Sequence, residues 1–248
     1  MKTAVAMTFT KDGYDKHAET CIESLKEFWP SDVELLAYPE GFKMDGRELL
    51  SSSPECLKFK QDMYSRPAAH GKIGRTYYYI YDAVKWSHRI FALQAAARET
   101  DAQILINMDS DIVTFDKVTH EFLEEQLGDA DIAYMSRKWI KMYSECSFVL
   151  YRLENPKVRE FIDDHVEMYT NYKILDLAAW TDCHAFDYLV EKSDLKFKDI
   201  NEGISPSMHP FVNGPLGSVM DHLKGTRKHE GRSRPGDLVV ERKEAYWA

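Results

Sequence analysis

An acidic pair stands where a buried strand of the chain is predicted to end. Residues 103–115 read QILINMDSDIVTF, so an apolar, β-branched run ends at Asp109, Ser110 and Asp111, and a second apolar run follows. Open α/β sheets bind ligands at the carboxyl ends of their strands, and hard divalent cations prefer carboxylate oxygens. A solvated turn or a cap on the next segment is the alternative. Because anchored segments flank both carboxylates, we interpret them as candidate metal ligands.

A second cluster, rich in cationic side chains, lies near the carboxyl terminus. Residues 220–229 read MDHLKGTRKH, in which His222 is followed within six positions by Lys224, Arg227 and Lys228, and Gly225 permits an unusual backbone turn. An imidazole can supply a metal ligand, while lysine and arginine pair with a diphosphate. A solvated basic tail is the alternative. Together the two clusters predict a site for a metal-bound diphosphate.

The elements that must position these clusters begin as strand, helix, strand. Strands are predicted at 3–10 and 33–38 and a helix at 14–29, the opening of a Rossmann-like α/β sheet. Further helices are predicted at 82–100, 120–127, 156–169 and 182–191, and further strands at 103–108, 132–135, 148–151 and 195–200. Residues 41–80 have no regular pattern, and the Gly-, Pro- and His-rich residues 201–237 are expected to suit a core poorly.

Composition restricts the class of protein. The 248 residues are 44% hydrophobic, which suffices for one large α/β domain. The formal net charge of −9 means that any contact with nucleic acid must be local. The four cysteines have neither zinc-knuckle nor disulfide-framework spacing, and no uncharged stretch reaches the length of a membrane span. We therefore expect a cytoplasmic protein without a membrane anchor.

The order of these motifs resembles that of the GT-A class of nucleotide-sugar glycosyltransferases. That class has a Rossmann-like first half and an Asp-x-Asp motif after a central strand, and its family 8 type adds a late His-x-x-Gly-x-x-Lys motif. Here His222, Gly225 and Lys228 have that spacing, with His229 and Glu230 where the family has Pro-Trp. The resemblance implies a mixed central sheet flanked by helices.

The resemblance also implies a domain plan and a metal site. It implies one catalytic domain over residues 1–248, with a nucleotide-binding half at 1–115 and an acceptor half at 116–248 that carries a metal- and diphosphate-binding extension. Asp109, Asp111 and His222 would coordinate Mn²⁺ or Mg²⁺ on the diphosphate of a nucleoside diphosphate sugar, for which we expect a UDP-sugar. Lys228 would contact phosphate.

Two acidic residues compete for the chemistry at the sugar. Asp182 lies in WTDCHAFD, where Thr181 or Asp182 is expected to cap a helix. By resemblance, Asp182 instead faces the sugar and binds donor hydroxyls or, in an inverting enzyme, acts as the base toward the acceptor hydroxyl. Glu145 is the competing acid, and the sequence does not rank the two. The likeness to family 8 favours retention of the anomeric configuration.

Further candidate donor contacts lie in the first half. Thr8, Phe9 and Thr10 end the first predicted strand, a position that in the GT-A fold meets the nucleoside. Lys85 and Arg89 share one face of the helix before the Asp-x-Asp strand, where they could reach the diphosphate or be solvated.

The acceptor is expected to be a hydroxyl group on a modified DNA base or a glycan. Residues 58–81 interleave basic and aromatic side chains, which can stack on bases or sugar rings, although tyrosine clusters are more often core. With Arg227, Lys228, Arg232 and Arg234 they could form a local basic face for DNA. The chain also looks like small bacteriophage transferases, some of which glycosylate modified DNA bases.

Two rival functions remain open. A nucleotidyltransferase shares the sheet and the acidic metal site, but it needs a glycine-rich loop after its first strand, and residues 7–14 contain one glycine. A carbohydrate- or nucleic-acid-binding protein with a structural metal would recognise the acceptor and ignore UDP.

Overall fold

The computed structural model describes residues 2–204 and 207–248. In chain order, the strands among these residues are β1 (Thr3–Met7), β2 (Glu34–Ala37), β3 (Lys72–Ile73), β4 (Thr76–Tyr77), β5 (Ile104–Met108), β6 (Ile112–Thr114), β7 (Ile132–Met135), β8 (Glu145–Arg152), β9 (Phe197–Asp199) and β10 (Met220–His222). The α-helices are α1 (Lys11–Gly13), α2 (Glu19–Phe28), α3 (Leu49–Ser52), α4 (Pro54–Met63), α5 (Ala83–Glu99), α6 (His120–Leu127), α7 (Pro156–Thr170), α8 (Asp182–Val190), α9 (Pro210–Asn213) and α10 (Arg227–Glu230).

A mixed six-stranded sheet forms the centre of the molecule, in the order β2-β1-β5-β8-β7-β9. β1 pairs in parallel with β2 and β5, whereas β8 runs antiparallel between β5 and β7. Every residue of β1, β5 and β7 is buried, because helices cover both faces of the sheet. The predicted α/β class with a mixed sheet flanked by helices is confirmed.

The first helical segment begins earlier than its predicted start at residue 14. The chain is helical from Lys11 to Phe28, with a π-helical stretch at Tyr14–Ala18. The hydroxyl of Thr10 accepts a hydrogen bond from the Gly13 amide at 3.0 Å, so this residue caps the helix and residues 11–13 form its first turn instead of a loop. The π-helical stretch carries His17, whose Nδ1 lies 3.1 Å from the Ser110 carbonyl oxygen.

The helices α5, α6, α7 and α8 lie where the periodic apolar patterns predict them. Asp82 caps α5 by accepting from the Lys85 amide, and Thr181 caps α8 by accepting from the His184 amide. Of the two predicted candidates, Thr181 and not Asp182 is therefore the cap.

Residues 41–80 contain more regular structure than the sequence predicts. α4 begins after Ser53, whose hydroxyl accepts from the Cys56 amide, and Pro54 occupies its first turn. Its buried side chains Cys56, Phe59 and Met63 are widely spaced among charged residues, so the apolar stripe is narrow and the periodicity weak. Residues 72–77 form the β3–β4 hairpin.

The prediction that residues 201–237 suit a core poorly is wrong. Phe211, Val212, Leu216 and Met220 are completely buried in one of the two apolar clusters that flank the sheet. Glycine and proline mark turns in this segment, but the apolar side chains between those turns still pack. Residues 205 and 206 lie outside the described residues.

Within the described ranges, no helix combines the length and apolarity needed to cross a bilayer. The thiols of Cys21, Cys56, Cys146 and Cys183 are free.

A buried histidine makes the fold sensitive to acid. Burial lowers the pKa of His165 to about 3, and its Nε2 lies 3.2 Å from the Asp182 carbonyl oxygen. Between pH 6.5 and 3 the unfolded chain binds a proton at this position that the folded chain does not, so acid reduces the free energy of unfolding. We predict that His165→Asn makes this fall shallower by about 1.4 kcal/mol per pH unit in urea titrations. A slope equal to that of the parent protein would contradict the assignment.

Candidate metal and donor site

Two strands outside the main sheet bring the two sequence clusters together. β5 ends at Met108, and β6 begins directly after Asp111. β6 pairs antiparallel with β10 so that Ile112 lies opposite His222. The Leu223 amide then donates to the Asp111 carbonyl oxygen at 2.9 Å. The β6–β10 pairing therefore fixes the imidazole beside the acidic pair.

The three predicted metal ligands converge. Nε2 of His222 lies 3.2 Å from Oδ1 of Asp111 and 3.6 Å from Oδ2 of Asp109. One ligand atom from each residue lies within 4.8 Å of the others. Two carboxylates and one imidazole suit Mn²⁺ or Mg²⁺. Cys21 donates its thiol to the Asp109 carbonyl oxygen at 4.0 Å, and burial raises its pKa, so it remains protonated and is a poor ligand.

The ionisation of Asp111 and that of His222 depend strongly on each other. Burial opposes ionisation of Asp111, but His222 and Lys228 hold the pKa of its carboxyl far below the usual range. Burial also opposes the charged form of His222, yet Asp111 and Glu145 outweigh burial and raise the pKa of this imidazole. Asp111 is thus an anion at neutral pH, as a metal ligand must be.

The three predicted phosphate-binding cations have different partners. Lys228 Nζ lies 2.8 Å from Asp111 Oδ2, so it lies in the metal cluster. Lys224 pairs with Glu145, and Arg227 pairs with Asp237. Gly225 has a φ of +63°, the left-handed conformation that the sequence allows at this position.

Arg89 connects the candidate metal ligands to Asp182. Its Nη1 lies 3.1 Å from both Asp109 Oδ1 and Asp182 Oδ2, and its Nη2 donates to the Cys146 carbonyl oxygen. Asp182 is 1% exposed, and its Oδ1 has no hydrogen-bond partner. Burial raises the pKa of Asp182 despite Arg89. An unpartnered carboxylate oxygen beside a metal cluster is a candidate acceptor for a ligand hydroxyl.

Glu145 has the opposite environment. It is buried between Arg137 Nη1, at 3.4 Å from its Oε2, and the ammonium of Lys224. Burial alone would favour the neutral acid, but Lys224, His222 and Arg137 lower the pKa of Glu145 to about 2. This carboxylate therefore stays ionised and is poorly suited to carry a proton at neutral pH.

The predicted nucleoside contacts serve the fold. Thr8 donates its hydroxyl to the Tyr38 carbonyl oxygen at 2.7 Å, Thr10 caps the first helix, and Phe9 is buried. Phe9 packs against the half-buried rings of Tyr14 and Phe42, with centroids 5.7 and 6.1 Å away. The sequence did not single out this aromatic pair at the end of β1.

Lys85 and its neighbour His88 do not join the cluster. Lys85 is exposed, with its ammonium 5.3 Å from the centre of the Trp86 ring. His88 is buried and pairs with Glu40 through Nδ1 at 2.7 Å. Of the three basic residues on this part of α5, Arg89 is the one that contacts the acidic residues of the site.

Supporting residues in the tail were missed. His209 contacts the carbonyl oxygen of His222 through Nε2 at 3.2 Å, and burial lowers its pKa to about 3. Asp221 accepts from the Ser233 amide and hydroxyl, each at 2.6 Å, and from the Tyr246 hydroxyl at 3.0 Å. These contacts join residues that are distant in the sequence, so no local motif predicts them.

Comparison with known proteins agrees with this architecture. No protein-family model and no curated protein sequence matches the chain. A glycosyltransferase involved in the glycosylation of the major capsid of PBCV-1 superposes with a TM-score of 0.51 at 10% identity, covering 93% of this chain and 96% of that one. The likeness shows a shared fold, and the predicted GT-A-like fold is confirmed.

Two further glycosyltransferase structures have TM-scores below 0.5. GlyE from Streptococcus pneumoniae TIGR4 has a TM-score of 0.49 at 13% identity, with 79% of this chain aligned to 44% of that one. Mouse xyloside xylosyltransferase 1 has a TM-score of 0.48 at 13% identity, with coverage of 79% and 83%. The chain thus spans less than half the length of GlyE.

The cluster predicts selective loss of metal binding. We expect Asp111→Asn to weaken Mn²⁺ binding at least about tenfold, because the substitution removes an anionic ligand. Asp116→Asn, on the exposed acid just beyond β6, is the matched control and should bind Mn²⁺ like the parent protein. Electron paramagnetic resonance of free Mn²⁺ measures both. Equal affinities in the two variants would show that the metal binds elsewhere.

Proposed function

We propose that this chain is a metal-dependent glycosyltransferase that transfers a sugar from a nucleoside diphosphate sugar to a hydroxyl acceptor. The observation that carries the proposal is the convergence of Asp109, Asp111, His222 and Lys228 at the end of β5, in a fold shared with a glycosyltransferase. We further propose that residues 1–248 act as one catalytic domain and that the chain works in the cytoplasm, where its free thiols would stay reduced.

The metal cluster and its lysines suit a diphosphate leaving group. When bound to Asp109, Asp111 and His222, Mn²⁺ or Mg²⁺ supplies positive charge that stabilises the negative charge developing on the nucleotide. Lys228 lies against Asp111, and Lys224 lies two residues after His222, so both ammonium groups can approach phosphate by exchanging their carboxylate partners. Arg227 would have to leave Asp237 to contribute.

We propose that the donor sugar binds beside Asp182 and Arg89. The free Oδ1 of Asp182 can accept a hydrogen bond from a sugar hydroxyl, while Arg89 holds this carboxylate and the metal ligand Asp109 in register. The half-buried rings of Tyr14 and Phe42 offer a face for the base of the nucleotide, and UDP is the nucleotide that we propose.

Asp182 is better suited than Glu145 to contact the reacting groups. Its raised pKa and free oxygen allow it to bind a hydroxyl or to take a proton, whereas Glu145 is held ionised by two cations. We propose that Glu145 orients Lys224 and Arg137. By likeness to family 8, we propose retention of configuration, which nuclear magnetic resonance of the product anomer would test.

Metal-dependent nucleotide binding is the first test. We predict that UDP binds in the presence of Mn²⁺ and that EDTA abolishes binding in isothermal titration calorimetry. At a UDP concentration 100 times its dissociation constant, the free energy of unfolding should rise by about 2.7 kcal/mol. A protein that binds a glycan or an oligonucleotide and ignores UDP with Mn²⁺ would instead be a non-catalytic binder. Release of pyrophosphate from a nucleoside triphosphate would identify a nucleotidyltransferase.

The two acids can be separated by matched amide variants. We predict that Asp182→Asn lowers donor hydrolysis about 10- to 100-fold in saturating Mn²⁺, because the amide contacts a sugar hydroxyl less strongly than a carboxylate does. Glu145→Gln should leave Lys224 and Arg137 without their anion and act mainly on the KM for the donor. A large fall in kcat for Glu145→Gln alone would reverse these roles.

A further inference from the structure

A rim of exposed aromatic residues borders the candidate site. We define the aromatic rim as residues 72–79 and 138–143. Tyr77, Tyr78 and Tyr79 in its first segment are 53%, 44% and 51% exposed, and Trp139 in its second is 82% exposed. Exposed apolar side chains that cluster in one patch mark an interaction site more often than single ones do. The expectation that the tyrosine cluster could belong to the core is not met for these three.

The same rim concentrates unpaired positive charge. It contains the exposed cations Lys72, Arg75, Lys138 and Lys141 and not one carboxylate, on a chain whose net charge is −9. Among the residues that the structure describes, none of the four takes part in an ion pair. The four cations therefore keep their charge unpaired, although the Asp82 carboxylate accepts a hydrogen bond from the Tyr77 hydroxyl at the edge of the rim at 3.0 Å.

The cations near the carboxyl terminus contribute less than the sequence suggests. Arg227 pairs with Asp237, Lys228 with Asp111, and Arg234 with Glu230. A basic face built on these residues would have to break three ion pairs. Arg232 is exposed and forms no ion pair among the described residues, and the two segments of the rim add four further unpaired cations.

Both segments lie beside the start of α8. The ring of Tyr143 packs against that of His184, with centroids 4.6 Å apart. The Trp180 amide donates to the Ile80 carbonyl oxygen at 2.7 Å, and the rings of Tyr81 and Trp180 pack with centroids 5.2 Å apart.

These contacts fix where the rim lies relative to the two acids. Trp180 is two residues before Asp182, and Tyr143 is two residues before Glu145. The rim thus adjoins both of the carboxylates that the proposed function uses.

We propose that the rim holds the acceptor, and that the acceptor is carried on a single-stranded nucleic acid. The proposal rests on the proposed function and names its acceptor class. Each nucleotide presents one phosphate and one flat base, and the rim offers exposed cations beside exposed rings. A neutral glycan could stack on the rings but would gain nothing from four unpaired cations. A base-paired duplex would keep its base faces stacked inside the helix.

Fluorescence anisotropy with a dye-labelled 15-nucleotide oligothymidine tests the proposal. We expect binding that weakens about 50-fold between 50 and 200 mM NaCl if four phosphates are contacted. The charge reversal Lys72→Glu with Arg75→Glu should weaken binding ~10-fold or more, and Trp139→Ala should weaken it about fivefold or more.

Matched controls separate a site from general electrostatics. Lys26→Glu with Lys192→Glu makes the same change in net charge on exposed residues outside the rim, and Tyr188→Ala removes a partly exposed ring outside the rim. Both should bind the oligonucleotide within about twofold of the parent protein. Equal losses in rim and control variants would overturn the proposal, since binding would then report only net charge.

Binding of two other ligands tests which class of acceptor the rim holds. Equal or tighter binding of a hyaluronate oligosaccharide of matched charge would overturn the nucleic acid in favour of an anionic glycan, and equal binding of a duplex would overturn single-strandedness. No binding of any of these ligands would overturn the rim as an acceptor site.

Calorimetry of UDP with Mn²⁺ on every variant keeps this test separate from that of the proposed function. Rim variants should retain nucleotide binding, which also shows that they are folded. Failure of the parent protein to bind UDP would refute the proposed function. The anisotropy measurement would still test whether the rim binds the oligonucleotide.

Discussion

The geometry of the site depends on a ladder of three residue pairs between β6 and β10. One strand follows the acidic pair directly, and the other ends at His222, about a hundred residues later. Their antiparallel register sets the imidazole beside Asp111, and His209 supports the same strand through the His222 carbonyl oxygen. Without this ladder the two carboxylates would remain at the sheet edge, but the third ligand and Lys228 would have no fixed position.

Around this ladder the protein places an alternating set of charges, most of them buried and the rest partly buried. Asp109, Asp182 and Arg89 form one group, and Glu145, Arg137 and Lys224 form another. Buried ion pairs contribute little net stability because desolvation offsets their attraction. They do hold carboxylates and cations in fixed positions before any ligand arrives, which is the arrangement that favours a reaction in which charge moves onto a leaving group.

The sequence predicted those elements and residues whose signal lies in a short stretch of neighbouring residues. Apolar runs located β1, β5 and β7, periodicity located α5 to α8, and the spacings around Asp109 and His222 identified the residues that converge as a candidate metal cluster. It could not find α4, whose apolar stripe is narrow, or the packing of residues 211–220, because burial there depends on distant partners. It also could not rank Asp182 against Glu145. Lys224, 79 positions from Glu145, lowers the pKa of Glu145 against the effect of burial, whereas burial raises the pKa of Asp182 although Arg89, 93 positions away, opposes the rise.

The central claim is that one divalent cation is held jointly by the acidic pair and the late histidine. A crystal structure of the protein with Mn²⁺ and UDP, with the metal located by anomalous scattering, tests it most directly. We predict a single strong anomalous peak within coordination distance of Asp109, Asp111 and Nε2 of His222, in contact with the diphosphate. A peak elsewhere, or a metal bound without the histidine, would contradict the account.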